Sequence, residues 1–367
     1  MDDEPNLDEL KKFWDAKGEK ITLVILFLAA IGSIVCIILG ICKWMDGAAA
    51  LGKDDGNIDK MANLGSYLQG STGSLWALAG FFVVFLAFLI QAVQLAEQRK
   101  QFKIQSDSVI QQNFETRFFE LLGYHRQNVS EIGIGEKTGR RVFVSMIREF
   151  RESLDRVNEV CKEITPNYPR DKRLDMAYMA FYYGVGPNST RVLREMLVSR
   201  HESQLTEVVI AKLEEVQKNY RYHIANPPNP KSEPPVHKHY KEYLQSLTRL
   251  SYCPFDGHQS RLGHYFRHLY QIVKYAAHHA PNENPNEYVD LIRAQLTNHE
   301  QALFCLNALS SIGSAWIKLG YLSDFELIKN IPKNFFDPVS EVDLEKQFPK
   351  IHFEYMTGTN SETEPNR

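Results

Sequence analysis

The pattern of apolar and polar positions divides the chain into an apolar first quarter and a mixed remainder. Residues 21–42 form the uncharged segment ITLVILFLAAIGSIVCIILGIC, and residues 74–96 form the uncharged segment SLWALAGFFVVFLAFLIQAVQLA. At a rise of about 1.5 Å per residue, each helix could cross a hydrocarbon core of roughly 30 Å. Neither segment has the one-sided apolar stripe of a surface helix. We therefore predict transmembrane helices at residues 21–43 and 74–96.

Charged residues around the two segments predict their orientation. Seven basic residues flank the pair on the outer sides and three lie between them, in the order Lys11, Lys12, Lys17, Lys20, then Lys43, Lys53, Lys60, then Arg99, Lys100, Lys103. Basic residues are enriched on the cytoplasmic side of membrane proteins. The N-terminal segment 1–20 and everything after residue 96 should therefore be cytoplasmic. Residues 44–73 should form a loop on the opposite side, which is the periplasm in a bacterium.

The two apolar segments contain no acidic or basic residue and no histidine. Ion pathways and proton relays normally place such a residue in the membrane. Small residues that permit close helix packing occur in both segments, namely Gly32, Ser33, Gly40, Ala77, Ala79 and Gly80. We interpret the segments as an anchor and oligomerisation element, and a pore built from several copies stays as the alternative.

The rest of the pattern predicts helices. Between the second segment and Gly123 the chain has no Pro or Gly, so a helix should run from about Trp76 to Leu122. Its apolar positions recur at helical spacing, as Phe102, Val109, Phe114, Phe118 and Leu122. Further helical segments begin near Arg140, Ser189 and Asn298, with Ser189, Thr190 and Asn298 as candidate N-caps. The predicted fold class is all-α, with two N-terminal transmembrane helices followed by a helical cytoplasmic domain over residues 97–348.

Two segments should lie outside this helical core. Residues 226–240, NPPNPKSEPPVHKHY, carry five prolines and predict a surface insertion. Residues 349–367 end in a polar run and predict a disordered tail.

Overall composition narrows the function classes. With 42 Lys+Arg against 45 Asp+Glu the net charge is −3, which gives no whole-chain case for a nucleic-acid coat protein. A mean hydropathy of −0.33 excludes a polytopic transporter. The five cysteines form no C-x-x-C pair, so neither a zinc ribbon nor a thioredoxin motif is present. We expect structural thiols, no metal and no cofactor.

The segment 255–279 concentrates polar chemistry on one predicted helix. Arg261, His264 and His268 share a helical face, Arg267 lies near His264, and His258 precedes them. Crowded cationic groups repel one another, so these five residues are candidates for contact with an anion: a phosphate, a nucleotide, a nucleic acid or an acidic side chain. A solvated basic face is the alternative.

Enzyme signatures are weak. Arg261 and His268 have the spacing of the arginine and histidine of HEPN-type ribonucleases, but Leu262 replaces the polar residue that usually follows the arginine. Arg194 and His201 share that spacing, and the His264–His268 pair lacks the glutamate of a zinc motif. The segment GIGEKTGRR from Gly133 suggests a polar turn rather than a phosphate loop. We assign no catalytic residue, and a ribonuclease using Arg261 and His268 stays as a weak alternative.

Five segments, in their order along the chain, resemble a known family. After the two apolar segments come FETRFFELLGYH at 114–125, GRRVF at 139–143, FYYGVG at 181–186, GHYFRHLYQI at 263–272 and NHEQALFCLNAL at 298–309. Together they are similar to the AbiC-like phage abortive infection proteins of bacterial membranes, over most of the chain up to about residue 332.

The resemblance implies antiphage defence at the bacterial inner membrane. The resemblance assigns no catalytic role to His264, Arg267 or His268. Arg267 could have a structural role, as the ion-pair partner of Glu300 or as a cap of the FYYGVG turn. The family segments supply eight residues for which we expect structural roles, namely Arg117, Phe118, Phe119, Tyr183, Gly184, Gly186, Glu300 and Asn307.

The predicted protein is a sensor or effector that arrests or kills the infected cell, through an oligomeric part that perturbs the membrane. Expected partners are membrane lipid and further copies of the chain, with a phage component or nucleic acid as trigger. A non-toxic scaffold that recruits an operon-encoded partner is a further alternative.

Overall fold

A computed structural model describes residues 7–51, 58–225, 250, 252–281 and 284–357. These residues are mostly helical, which confirms the helical part of the predicted fold class. The helices are α1 (Leu7–Leu51), α2 (Ile58–Glu131), α3 (Arg141–Ile164), α4 (Arg170–Tyr183), α5 (Ser189–Val198), α6 (Ser203–Ala225), α7 (Gln259–His279), α8 (Pro285–Gln295), α9 (Asn298–Leu309), α10 (Ala315–Lys318), α11 (Tyr321–Asp324), α12 (Leu344–Gln347) and α13 (Glu354–Thr357).

One small sheet departs from the all-α prediction. Strands β1 (Gly133–Ile134) and β2 (Lys137–Thr138) pair antiparallel, with Ile134 opposite Lys137. Gly135 at φ +58° begins the two-residue connection, a conformation that glycine adopts without a Cβ clash. The predicted polar turn is therefore the tip of a β-hairpin, and the buried Ile134 fixes the hairpin to the core.

The chain divides into two compact units, Met1–Val109 and Ile110–Arg367. Two stretches are long and apolar enough to cross a membrane, Thr22–Gly47 of α1 and Met61–Glu131 of α2. The first lies in the first unit, and the second begins there and ends in the second unit. Within residues 44–73, predicted as a periplasmic loop, α1 extends to Leu51 and α2 begins at Ile58. Residues between the two helix ends, 52–57, lie outside the described part of the chain.

Within the first unit, α1 contacts α2 through glycine positions. A Cβ at Gly40 would collide with the indole of Trp76, and one at Gly47 would approach Leu68 to 2.6 Å. Gly32 faces Phe82 at an ordinary contact distance of 3.5 Å. The contacts of Gly32, Gly40 and Gly47 run in the opposite direction along α2, so the two helices pack antiparallel in this unit.

Helix α2 is longer at both ends than the prediction of about Trp76 to Leu122. The apolar residues of α2 do not all pack against the same surface. Phe102 is 68% exposed and Val109 46%, whereas Phe114 and Phe118 are buried at 5% and 0%. Since the two exposed residues belong to the first unit, only the part of the stripe from Phe114 onward enters the core of the second unit.

The second unit is built around α3. This helix packs against α4, α6 and α9, and α7 packs against α8 and α4. Large side chains at the centre are fully buried, among them Phe118, Phe143, Phe150, Tyr178 and Tyr265. The apolar residues of α3 recur at helical spacing over 24 residues, so they form one broad buried face that packs against these neighbours.

Several predicted boundaries shift. The segment from Ser189 is broken into α5 and α6, because His201 turns inward and its Nδ1 lies 2.7 Å from the Tyr168 hydroxyl. Asn188 rather than Ser189 or Thr190 is the N-cap of α5. Thr297 rather than Asn298 caps α9.

The predicted disordered tail at 349–367 begins too early. Ile351 and Phe353 are buried at 2% and 0%, since their side chains complete the core of the second unit. Residues 358–367 and the predicted insertion 226–240 lie outside the described residues.

Candidate functional site

Helix α7 separates the five candidate contact residues rather than presenting them together. Its buried side is formed by Leu262, Tyr265, Phe266 and Leu269 among others. His264 and Arg267 are exposed, Arg261 and His268 are half-buried, and His258 is buried at the N-cap position. Only His264 and Arg267 thus belong to an open basic surface, because the helix turns the other three toward protein.

The side chain of Arg261 is committed to two backbone carbonyls. Its Nε donates to the carbonyl oxygen of Gly133 at 2.9 Å, and its Nη1 donates to that of Gly257 at 3.2 Å. Arg261 therefore connects the β-hairpin to the start of α7. A ribonuclease arginine must be directed at a phosphate, so this arrangement does not favour the Arg261–His268 hypothesis.

His258 belongs to a buried network centred on Glu149, which the sequence interpretation missed. The Glu149 carboxylate lies 2.8 Å from His258 Nε2 and accepts hydrogen bonds from the Tyr252 hydroxyl at 2.5 Å and the Phe255 amide at 2.7 Å. Glu149 is 0% exposed and His258 is 2% exposed. Burial and the Glu149 charge raise the pKa of Tyr252 well above its ordinary value, which keeps its hydroxyl a donor. The network holds residues 252–258 against α3.

A sequence signal for this network did exist. Ser145, Glu149 and Ser153 follow one another at four-residue spacing on the buried face of α3. A polar series of this kind on a face that should be apolar indicates buried hydrogen bonds. What it could not indicate was the partner segment, because Tyr252 and His258 lie more than a hundred residues later in the chain.

The FYYGVG turn packs directly on the segment that precedes α7. The Val185 amide donates to the Phe255 carbonyl at 2.7 Å, and the His258 amide donates to the Tyr182 carbonyl at 2.8 Å. Gly184 has φ +75°, and a Cβ there would collide with the Gly257 backbone. The FYYGVG segment thus meets the residues that precede α7 through backbone atoms, which explains a glycine at position 184.

The other residues from the family segments have varied surroundings. Phe118 is buried and the Arg117 guanidinium lies 5.9 Å from the Tyr275 ring, whereas Phe119 is 51% exposed. Asn307 is buried, and its Nδ2 donates to the Tyr178 hydroxyl at 3.0 Å. In the FYYGVG segment, Tyr183 is half-buried and the Gly186 amide donates to Thr190 Oγ1 at 2.9 Å.

Glu300 does not have the predicted partner Arg267. Its Oε2 accepts from the Thr297 amide at 2.9 Å, and the Glu300 amide donates to Thr297 Oγ1 at 3.3 Å; these two bonds form the capping box of α9. Its nearest cation is Arg140, whose Nε lies 3.8 Å from Oε2. The charge of Arg267 instead acts on the Tyr182 hydroxyl, where it opposes the rise in pKa that burial causes.

Glu300 also lines a cavity of about 420 Å³ in the second unit. The wall comes from the last turns of α2, the exit of the hairpin, the start of α3, the end of α8 and the start of α9. Its polar lining residues include His125, Arg126, Arg140, Arg141 and Glu300. This cavity combines three guanidinium groups with one carboxylate and one histidine, and sequence analysis did not single it out.

His125 is the most unusual group in that cavity wall. It is 2% exposed, and neither ring nitrogen has a hydrogen-bond partner among the described residues. Burial, followed by the charges of His268 and Arg140, lowers the pKa of His125 from 6.5 to about 4. The ring is therefore neutral at physiological pH, with one nitrogen that can donate and one that can accept.

Comparison with protein families adds the decisive observation. Residues 257–336 match the family model described as "Putative phage abortive infection protein". Residues 257–336 are therefore similar to this family, and the match is confined to them. The matched residues span α7, α8 and α9 and extend to Phe336. They include His258, Arg261 and Glu300 but not Glu149 or His125. No curated protein and no solved structure matches the chain.

Proposed function

We propose that this protein is a membrane-anchored antiphage defence protein that senses infection and arrests or kills the infected cell. The abortive infection domain at residues 257–336 carries the proposal. From the match to this family we infer the biological role. From the apolar helices of the first unit we infer the compartment, the bacterial inner membrane.

The surface of the first unit supports membrane anchoring. Large apolar side chains project outward from both long helices, with Phe27 67% exposed, Phe81 63% and Phe88 65%. Soluble proteins rarely expose continuous apolar surfaces of this kind, whereas lipid-facing helices require them. By the distribution of basic residues, both termini face the cytoplasm.

The killing step that we propose is loss of membrane integrity by an assembly of several copies. Two observations motivate it. The apolar segments 21–42 and 74–96 carry no acidic residue, basic residue or histidine that would form an ion path in a single copy. The Arg261 contacts with Gly133 and Gly257 do not favour ribonuclease chemistry as the alternative.

The test is induced expression of the full chain with and without phage, while membrane potential and RNA integrity are recorded together. Depolarisation before loss of viability, with intact RNA, is the expected result. Arrest with full polarisation would rule out the membrane step, and RNA decay that Arg261→Ala abolishes would restore the ribonuclease hypothesis. Arrest that requires a neighbouring gene would favour the scaffold.

Membrane anchoring needs its own variants. Phe27→Asp combined with Phe88→Asp places two carboxylates in the apolar surface, and a charge at the centre of a bilayer costs about 2.5–3.5 kcal/mol in insertion experiments. We expect this variant to leave the membrane fraction and lose protection. Phe119→Asp is the matched control, because Phe119 is an exposed aromatic residue of α2 outside the apolar segments. Equal retention of both variants in the membrane would contradict anchoring by these helices.

A further inference from the structure

One side of helix α2 carries an apolar residue at every seventh position. The members of this series are Phe81, Phe88, Leu95, Phe102 and Val109. A second series follows it at an offset of three residues and consists of Val84, Gln91, Gln98 and Gln105. Spacings of three and seven bring both series to one side of a helix, as in helices that supercoil around a partner helix. These nine residues, which we call the heptad face, all belong to the first unit.

Helix α1 packs on the side of α2 that is opposite the heptad face. A Cβ at Gly40 of α1 would collide with the Trp76 indole, and Thr72, one turn before Trp76, is 5% exposed. Thr72 lies nine residues before Phe81, which is about two and a half helical turns and therefore the other side of α2. Phe81 accordingly is 63% exposed, and the side of α2 that carries it is available to another helix.

Beyond the apolar segment, lipid cannot cover the heptad face. Every residue from 91 to 109 is exposed, and charged side chains occur in the same turns of the helix. These are Glu97, Arg99, Lys100, Lys103 and Asp107. Charged groups in successive turns keep this stretch out of the hydrocarbon core, yet Phe102 is 68% exposed and Val109 is 46% exposed. Apolar side chains placed in water along one side of a helix indicate a surface that another protein covers.

The chemistry of the heptad face favours a second copy of the same chain as that protein. The charged residues lie on other sides of α2, with Arg99 at the edge of the face. From 91 to 109 the face itself consists of three apolar residues and three glutamines. An amide group both donates and accepts hydrogen bonds, so a glutamine can pair with the identical residue of a second copy, whereas a charged residue would repel its counterpart. A face of this composition is therefore complementary to itself.

We propose that two copies of the chain associate through parallel, in-register pairing of α2 along residues 91–109. The three apolar residues of the face then pack against their counterparts, and the paired amides of Gln98 and Gln105 fix the register. The contact deepens the proposed assembly of several copies. Its parallel orientation rests on the proposed membrane anchoring, because both copies then leave the bilayer in the same direction.

The experiment is oxidative cross-linking of introduced cysteines in membranes that contain the full-length protein. Cys42 and Cys253, which are the cysteines that are not buried, are first replaced by serine. Gln98→Cys and Gln105→Cys should then each form a disulfide-linked dimer, because facing positions of paired helices meet the Cα separation of roughly 4.4–6.8 Å that a disulfide requires. The readout is the fraction of dimer on a non-reducing gel.

Lys100→Cys and Asp107→Cys are the matched controls, because both positions are exposed in the same turns but lie on the outer side of the pair. They should not cross-link. A second comparison uses Phe102 and Ile104, which are 68% and 60% exposed but lie on different sides of α2. In the Gln105→Cys protein, Phe102→Asp should lower the dimer fraction about tenfold, since it brings like charges together, and Ile104→Asp should leave it unchanged.

Four results would overturn the proposal. They are no dimer from either glutamine variant, equal cross-linking by the glutamine variants and the controls, equal dimer fractions with Phe102→Asp and Ile104→Asp, and cross-linking to a protein of another mass. A plaque assay and fractionation of the same cells separate this contact from the proposed function. A cross-linked dimer without phage protection would refute the defence function alone, and one recovered without detergent would refute the anchoring alone. Protection without a cross-linked dimer would refute the contact alone.

Discussion

Glu149 shows how one buried residue organises distant parts of the chain. It accepts hydrogen bonds from a segment that lies 103 to 109 residues further on, with Tyr252, Phe255 and His258 as partners. The carboxylate is fully buried, so its desolvation is compensated by these contacts. Glu149 therefore holds the residues that precede α7 together with the backbone hydrogen bonds from the FYYGVG turn.

Replacing Glu149 by Gln should destabilise the protein by about 2–4 kcal/mol, because the amide nitrogen would face donors and the buried charge contact would be lost. Glu195→Gln is the control, since Glu195 is exposed and its contact with Arg191 is a surface pair. The measurement is denaturant unfolding of the full-length protein, followed by circular dichroism. Equal losses in the two variants would contradict a special role for the network.

His125 predicts a dependence of stability on pH. Its folded-state pKa of about 4 lies below the ordinary value of 6.5, so between these values the unfolded chain binds a proton that the folded chain does not. Its contribution is complete above pH 6.5 and is lost as the pH falls toward 4. The full effect is about 3 kcal/mol. His125→Phe should flatten the decrease between pH 6.5 and 4, as measured by the free energy of unfolding.

The matched control for that profile is His264→Gln. His264 is exposed on α7, and its replacement should leave the slope unchanged. Parallel curves for the unaltered protein and His125→Phe would show that the His125 ring does not carry the proton linkage.

At the scale of elements, glycine positions determine which backbones approach closely. Gly184 allows the FYYGVG turn to contact the Gly257 backbone, and Gly40 allows α1 to contact Trp76 of α2. In both places a Cβ would occupy space that another group fills. The first contact lies in the second unit and the other lies in the first unit.

Gly40→Leu should separate α1 from α2, because the new side chain overlaps the Trp76 indole. We expect a lower midpoint for unfolding of the detergent-solubilised protein by SDS. Gly80→Leu is the control, since a Cβ at Gly80 meets no described atom within 4 Å. If Gly80→Leu lowers the midpoint as much as Gly40→Leu does, close packing at Gly40 is not the cause.

The secondary-structure elements differ in how well the local sequence pattern predicts them. The helical spacing of α3 and α7 was sufficient to predict both helices, because periodicity is a local property. The β-hairpin was missed, since four paired residues give almost no periodic signal and only the Gly-Glu dipeptide indicates the turn. The break at His201 was missed because a buried contact with Tyr168 produces it.

At the scale of the whole molecule, the distribution of basic residues predicts that both termini lie in the cytoplasm. Reporter fusions at the N and C termini, one active only in the cytoplasm and one active only in the periplasm, measure this directly. Both cytoplasmic reporters should be active. Opposite signals at the two ends would mean that only one of the two helices crosses the membrane.

The chain by itself determined the features that depend on local composition. The long apolar helices, the mostly helical fold and the resemblance to an abortive infection family all follow from residues close together in sequence. A local pattern is enough for these, because helix formation and membrane-compatible length depend on neighbouring residues.

Tertiary structure alone decided which polar groups meet. In the folded protein His258 is buried against Glu149 and does not lie on a basic surface. Arg261 donates hydrogen bonds to the carbonyl oxygens of Gly133 and Gly257. Tertiary structure also brought His125 to the same cavity as Arg141 and Glu300. Contacts of this kind join residues that are remote in the chain, and their partners are selected by packing rather than by sequence spacing.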